Sequence, residues 1–563
     1  MIYSDKRNVQ ALLEIAYFHG IRTVVFSPGS RNAPLVIAFQ ADDRFEKVII
    51  PDERSAAFFA MGVIQERREP VAVCCTSGSA AANYLPAVVE AFYQRLPLVL
   101  FTADRPKEWV DQGEGQTIRQ EGMFRGHVVA EANLLVDSDS DADRAYNDRI
   151  LNESLSMAAL KEGPVHINLP FEEPLYGTTD VKFEPKKISV IGGRPQLSLK
   201  EIQEVIDLWN QPVKKWVLVG QVLPGPQWGE AIHEFAKDDN TLIWTESTTN
   251  LPEEATIGHI DRVINTISDE EKAAIVPDVL LTFGGAIISK MVKALLRNHP
   301  PKAHIHIDAK WPQPDTFRAL THSVIARPEE FFKHFLPRIE SASGEYRSHW
   351  MKVAQTRRDL HAQFEEQVAF SDFSVFKDTL KVIPANWKLQ FANSSVIRYV
   401  QLFDGGRENL HFSNRGTAGI DGSSSTAVGM AWASEEPVLL VTGDVSFFYD
   451  SNAFFNKVVP SSMRILLIHN GGGGIFRIIK GPNGTEAFEE YFETKHATSA
   501  EGIAKSYGLD HKAAHGELEW KEALPWLLEE GDGPRVLEVY TPGDINADVL
   551  QEYFRFLRTQ SVS

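Results

Sequence analysis

Cysteine is almost missing from this chain. Only two occur in 563 residues, Cys74 and Cys75, side by side in an apolar run. A disulfide framework is therefore excluded, and a reducing compartment is expected. Long apolar runs are missing as well: none approaches the roughly 20 residues that span a bilayer. The chain turns polar at once, at Ser4, Asp5, Lys6 and Arg7, which predicts no secretory signal and a cytoplasmic protein without a transmembrane segment. Positive charge is in deficit. With 57 Lys and Arg against 76 Asp and Glu, the formal charge is −19. That excludes nonspecific nucleic-acid binding, which needs a basic surface. An acidic chain that handles anionic small molecules must gather its arginines locally.

What is present is a globular composition, 43% hydrophobic and 24% charged, in a chain too long for one core. Short β-rich runs alternate with helical stretches, the pattern of α/β domains whose mostly parallel sheets are flanked by helices. A first series holds "TVVFS" (23–27), "KVIIP" (47–51), "VAVCCTS" (71–77), "LPLVLFTA" (96–103) and "GPVHINLP" (163–170). The charged stretch 172–187 reads as a linker. A second series holds "KWVLVGQ" (215–221), "TLIWTES" (241–247), "DVLLTFGG" (278–285) and "AHIHIDA" (303–309). After a charged helical region near 328–368, a third holds "LQFANSS" (389–395), "PVLLVTGD" (437–444), "RILLIHN" (464–470) and "GPRVLEVYTP" (533–542). Three domains are expected, over residues 1–180, 188–340 and 350–563. The closing strands of the outer two are alike, which suggests that those domains are related.

Residues 438–476 carry the sharpest chemical signal. One buried strand ends at Gly443-Asp444, and a second ends at Asn470 before four glycines. In an open parallel sheet, ligands bind beyond the carboxyl ends of the strands. A carboxylate, an amide oxygen and a backbone carbonyl from the glycine run make a hard-oxygen set suited to Mg²⁺ and a phosphate. The glycines let the backbone approach that phosphate closely. Taken alone, Asp444 reads equally well as a helix cap.

This stretch resembles the diphosphate-binding motif of thiamine diphosphate enzymes, in a looser form with Val445 at the third position. Such enzymes need a glutamate that activates the aminopyrimidine ring of the cofactor. "VIIPDERSAAFFAMG" (48–62) supplies Glu53 between a strand end and an apolar helix, surroundings in which a carboxylic acid can hold its proton. Basic or polar groups also reach probable strand ends and loops in "SPGSR" (27–31), "TADRP" (102–106), "GQTIRQ" (115–120), "NSSVIR" (393–398) and "NRGTAGIDG" (414–422). Arg31, Arg105, Arg398 and Arg415 are potential forks for carboxylates.

In this order, and with "TSGSAAANYLPAV" and "NGGGGIF", these motifs resemble the 2-succinyl-5-enolpyruvyl-6-hydroxy-3-cyclohexene-1-carboxylate synthase family of menaquinone biosynthesis over nearly the whole chain. The resemblance implies decarboxylation of 2-oxoglutarate and a 1,4-addition of the remaining unit to isochorismate. It implies thiamine diphosphate and Mg²⁺ as cofactors, with Mn²⁺ as an alternative ion. Glu53 becomes the cofactor activator, and Asp444, Asn470 and the Gly472 carbonyl become the metal ligands. Gly443, Val445, Ser446 and Ser77 fall beside the cofactor, with Ile420 as an apolar wedge beneath it. Ile475 and Phe476 line an apolar wall. Ser30, Arg31, Arg105, Gln116, Lys290, Ser394, Arg398 and Arg415 are the implied substrate contacts. In relatives the two halves of the site come from different subunits, so a homodimer or homotetramer is implied. The competing expectations are an acetohydroxyacid synthase or 2-oxo acid decarboxylase, and a nucleotide-binding protein without catalysis. "VLVGQVLPG" (217–225) is a poor match to a dinucleotide fingerprint.

Overall fold

The computed structural model describes residues 3–191, 197–223, 227–251, 254–309, 314–478 and 485–559. Strands β1 (Tyr3–Ser4) and β8 (Thr178–Thr179) pair antiparallel as a small ribbon. Strands β2 (Thr23–Phe26), β3 (Glu46–Ile49), β4 (Val71–Cys75), β5 (Leu98–Asp104), β6 (Ala130–Asn133) and β7 (Val165–Pro170) form the first large sheet. The second contains β9 (Lys215–Val219), β10 (Thr241–Trp244), β11 (Val279–Phe283), β12 (Ala303–Ile307) and β13 (Leu320–Val324). The third contains β14 (Lys388–Phe391), β15 (Leu410–Phe412), β16 (Val438–Gly443), β17 (Met463–His469), β18 (Asp510–Ala514) and β19 (Arg535–Tyr540). Every neighbouring pair in these three sheets is parallel.

The outer sheets share one topology. The first runs β3-β2-β4-β5-β7-β6 and the third β15-β14-β16-β17-β19-β18, the same order once each is counted from its own first strand. The second runs β10-β9-β11-β12-β13. In each sheet the winding reverses beside its first strand, which opens a crevice between the loops that follow the two strands there. The first crevice lies between the ends of β2 and β4, where "SPGSR" and "TSGS" stand. The third lies between the ends of β14 and β16, where "NSS" and "TGD" stand.

The helix Glu53–Arg67 binds the outer units together. Asp52 caps it by accepting the Ser55 N–H at 3.2 Å, as an N-cap carboxylate does. Its residues from Ser55 to Gln65 are all buried, so it is a core helix rather than an amphipathic one. It crosses the helix Ser423–Ala433, and a side chain at Gly62 would run into the Thr426 carbonyl, as one at Gly429 would into that of Phe59. One apolar cluster therefore runs from Val25, Phe58 and Met61 to Val428, Leu440 and Ile465. Among the described residues no helix is long and apolar enough to cross a membrane.

Candidate active site

Asp444 sits where β16 ends and a short helix begins, and is 2% exposed. Its carboxylate accepts three backbone N–H groups: Val445 at 2.6 Å, Gly471 at 2.8 Å and Gly472 at 3.0 Å. The strand end is thereby tied to the glycine turn after β17. Burial raises the carboxyl above its ordinary value, opposed by His469 and His496, whose Nε2 atoms lie 3.9 and 3.6 Å from Oδ2. Gly472 adopts φ +151°, and a Cβ there would stand 2.5 Å from the Glu493 carbonyl, so only glycine fits. The Gly472 carbonyl accepts the Gly474 N–H at 2.9 Å and keeps its second lone pair. Asn470 donates its Nδ2–H to Asp372 at 2.9 Å. The Asp444 carboxylate, the Asn470 amide oxygen and the Gly472 carbonyl are hard oxygen donors, the chemistry that Mg²⁺ takes.

The "NRGTAGIDG" loop is held over this crevice from two sides. Asn393 donates to the carbonyls of Asn414 at 2.7 Å and Gly419 at 2.6 Å, and accepts from Arg415 at 2.7 Å. Glu90, on the helix Leu85–Gln94 of the first unit, accepts the N–H groups of Gly416 and Thr417 at 2.6 Å each. Ser446 donates to the Ile420 carbonyl at 2.7 Å, which brings these two expected cofactor neighbours together. Val445 is half-buried beside Asp444, and Ile475 (8% exposed) with Phe476 opens the helix after the glycines. Ser394 holds φ 72°, Ala418 φ 61° and Gln116 φ 54°, backbone positions uncommon outside glycine and frequent at functional sites.

In the first crevice, Gly29 packs against Thr76 so closely that no side chain fits there, and Thr76 Oγ1 accepts the Arg31 N–H at 3.1 Å. Arg31 is 5% exposed, its Nη1 donating to the Phe171 carbonyl at 3.0 Å. Burial and then Arg105 lower its pKa, against the pull of Glu173 and Asp104. Arg105 reaches the Gly115 carbonyl at 3.4 Å. Ser77 is buried, whereas Ser30 and Gln116 are exposed. The Nε atoms of Arg105 and Arg415 are buried with no hydrogen-bond partner among the described residues, donors that a carboxylate ligand would satisfy.

Glu53 stands at the start of its helix, half-buried, and accepts the Asn83 Nδ2–H at 3.2 Å. It lines an open cavity of about 460 Å³ with Pro51, Asp52, Arg54, Asn83, Asn452 and Phe455. Among the described residues no hydrogen bond or ion pair joins Glu53 to Asp444, Asn470 or Gly472.

Lys290 is exposed at the first turn of the helix Lys290–Asn298. Lys293, almost one turn on, is the cation that faces inward: burial lowers its pKa, Glu246 opposes this, and Arg415, Arg297 and Arg398 add to it. Arg398 lies beside Asp261, which offsets part of the lowering that its burial causes. Sequence reasoning also missed Gln120, which is 1% exposed. It accepts the Gly78 N–H at 2.8 Å and donates to the Asn168 side chain at 2.9 Å. Asn168 in turn donates to Asp104 at 2.8 Å, whose carboxyl burial pushes up to about 6. Its place at the end of "GQTIRQ" was the only signal.

Comparison with known proteins gives the same picture. The family model "Thiamine pyrophosphate enzyme, N-terminal TPP binding domain" matches residues 7–123. The solved structure of benzoylformate decarboxylase from Polynucleobacter necessarius has the same fold, with a TM-score of 0.72 over 95% of this chain and 99% of its own at 17% identity. Family model and full-length relatives together define a thiamine diphosphate-dependent enzyme. Over 99% of its length the chain is 43% identical to the whole of the 2-succinyl-5-enolpyruvyl-6-hydroxy-3-cyclohexene-1-carboxylate synthase of Flavobacterium johnsoniae. It is 40% identical to 98% of the one from Porphyromonas gingivalis, and 35% identical to the whole of the one from Bacteroides thetaiotaomicron. The chain belongs to the 2-succinyl-5-enolpyruvyl-6-hydroxy-3-cyclohexene-1-carboxylate synthase family.

Proposed function

We propose that the protein takes 2-oxoglutarate and isochorismate to 2-succinyl-5-enolpyruvyl-6-hydroxy-3-cyclohexene-1-carboxylate and CO₂ in menaquinone biosynthesis, as a thiamine diphosphate- and Mg²⁺-dependent transferase of the cytoplasm. The observation that carries this reading is similarity over 99% of the chain, at 35–43% identity, to relatives named for that product. Asp444, Asn470 and the Gly472 carbonyl hold Mg²⁺ (or Mn²⁺), and the glycine turn leaves room for the diphosphate. Gly443, Val445, Ser446, Ser77 and Ile420 pack around the cofactor. When bound, the cofactor supplies the carbanion chemistry that releases CO₂ and forms the new carbon–carbon bond.

The chain's own residues do the rest. Glu53 has its Oε2 already engaged by Asn83, which leaves Oε1 to hydrogen-bond the cofactor ring. Arg31, Arg105, Arg398 and Arg415 bind the carboxylates of two dianionic substrates, with Lys290 as a further cation and the more inward Lys293 near it. Ser30, Gln116 and Ser394 orient the remaining polar groups, and Ile475 and Phe476 keep water from the reacting carbon. A homodimer or homotetramer completes the site, with Glu53 of one copy serving Asp444 of another. The apolar rim near the Glu53 cavity, where Tyr449 is 54% and Phe455 52% exposed, supports this.

The test is a panel of 2-oxo acids with and without thiamine diphosphate and Mg²⁺. We expect CO₂ from 2-oxoglutarate only with both, and the adduct only when isochorismate is added. Equal use of pyruvate would overturn the assignment in favour of another thiamine diphosphate enzyme.

A further inference from the structure

Asp372 opens the helix Asp372–Val382 and is 3% exposed. Its two carboxylate oxygens have different partners. Oδ2 accepts the Nδ2–H of Asn470 at 2.9 Å, and Oδ1 accepts the Thr541 hydroxyl at 2.6 Å. Its backbone N–H donates to Asn546 Oδ1 at 2.9 Å, so the carboxylate is anchored from a second side. The backbone around Asn470 is equally fixed. The Thr541 N–H donates to the His469 carbonyl at 3.1 Å, and Gly543 packs so tightly against the Asn470 carbonyl that a Cβ would overlap it.

The two ends of an asparagine amide have nearly the same shape and opposite chemistry: the oxygen accepts and the nitrogen donates. Only the oxygen can serve a hard cation. Strand geometry delivers the side chain of Asn470 to the sheet edge but does not choose which end points outward. A buried carboxylate makes that choice, because it can only accept. The nitrogen must turn toward Asp372, and the oxygen is turned away from it.

We propose that Asp372 is a positioning residue: it sets the amide orientation of Asn470 so that Oδ1 is presented to the cation, and Thr541 holds Asp372 in place. This rests on the reading of Asn470 as a ligand of the cofactor's metal. The role differs from mere anchorage of the helix Asp372–Val382, because it concerns which atom faces the ion.

The experiment measures binding of Mg²⁺ with thiamine diphosphate to the intact protein by quenching of tryptophan fluorescence, beside the melting temperature of the cofactor-free protein. Asp372→Asn offers Asn470 either a donor or an acceptor, so the orientation is no longer imposed. Its apparent Mg²⁺ affinity should fall about 10- to 100-fold, the range for partners that orient a metal ligand, with turnover largely regained at saturating Mg²⁺. The exchanged pair, Asp372→Asn with Asn470→Asp, keeps the charge. There the new amide donates to the new carboxylate, whose other oxygen needs no choosing, so affinity should recover most of the loss. Wild-type affinity in Asp372→Asn overturns the proposal. So does a loss that the exchanged pair fails to recover while both variants melt early. Asn470→Ala separates the two levels. If it binds the cofactor normally, the cofactor reading fails and the positioning role fails with it. If it loses binding while Asp372→Asn does not, the positioning role alone fails.

Discussion

Arg31 and Glu173 meet at 3.3 Å across the carboxyl edge of the first sheet, the arginine side chain 6% exposed and the glutamate 71%. The cation is built in and its partner is not: a largely hydrated carboxylate is a weak competitor for a substrate dianion. Arg31→Ala should raise the KM for 2-oxoglutarate about 10- to 100-fold, the worth of one or two charge-assisted hydrogen bonds, with cofactor affinity unchanged. Glu173→Gln should lower that KM. Steady-state kinetics read both, and an unchanged KM in Arg31→Ala would assign the arginine to the Phe171 carbonyl alone.

Glu53→Gln keeps the size and the acceptor for Asn83 but cannot exchange a proton. Turnover should fall by at least about a thousandfold, in the range of lost acid–base catalysis, while thiamine diphosphate binding stays within a few-fold. Calorimetric titration of the variant checks the second half. Full activity would remove Glu53 from the mechanism.

Glu246 accepts the N–H groups of Ile288 and Ser289 at 2.7 Å each. Burial pushes its carboxyl up to about 7 against the pull of those bonds and of Arg415. The folded protein thus binds a proton here that the unfolded chain has already released above its ordinary value of 4.5. The stability this contributes is complete below 4.5 and lost as pH rises through 7. Between pH 5 and 8 the melting temperature of the wild type should therefore drop relative to that of Glu246→Gln. Parallel curves would show that the proton is not held.

Gly62→Ala tests the junction of the outer units. Alanine suits a helix better than glycine by about 1 kcal/mol. Here, however, its methyl group meets the Thr426 carbonyl, and backbone cannot swing aside as a side chain can. Overpacking of about 1–3 kcal/mol wins, so the melting temperature should fall. Gly429→Ala, which meets the Phe59 carbonyl, should behave alike.

Interior strands were legible in the sequence because both faces and both edges are covered: β4, β5, β16 and β17 read as unbroken apolar runs. Besides the two-residue strands β1 and β8, four strands of the large sheets escaped notice, β6, β13, β15 and β18, and each lies at the edge of its sheet. With hydrogen bonds on one side only, "LTHSV" and "DHKAA" carry polar residues that no run of hydrophobicity marks. The stretch 172–187 is mostly exposed, and at its end Lys187 reaches Glu14 at 2.7 Å. In the candidate site, the places of Asp444 and Asn470 at strand ends were readable, because an apolar run marks where each strand stops. Lys293 was not, since it lies almost a full helical turn beyond Lys290 and no strand end marks it. Asp372 was not either, because it acts through another side chain nearly 100 residues away.

The three N–H groups on Asp444 clasp the strand end to the glycine turn through protein atoms alone. At the proposed metal site, loading would then need no folding of a loop and would be paced by how fast the cation sheds its own water, which Mg²⁺ does reluctantly. Any ion of similar charge that sheds water faster would enter sooner, whatever its final affinity.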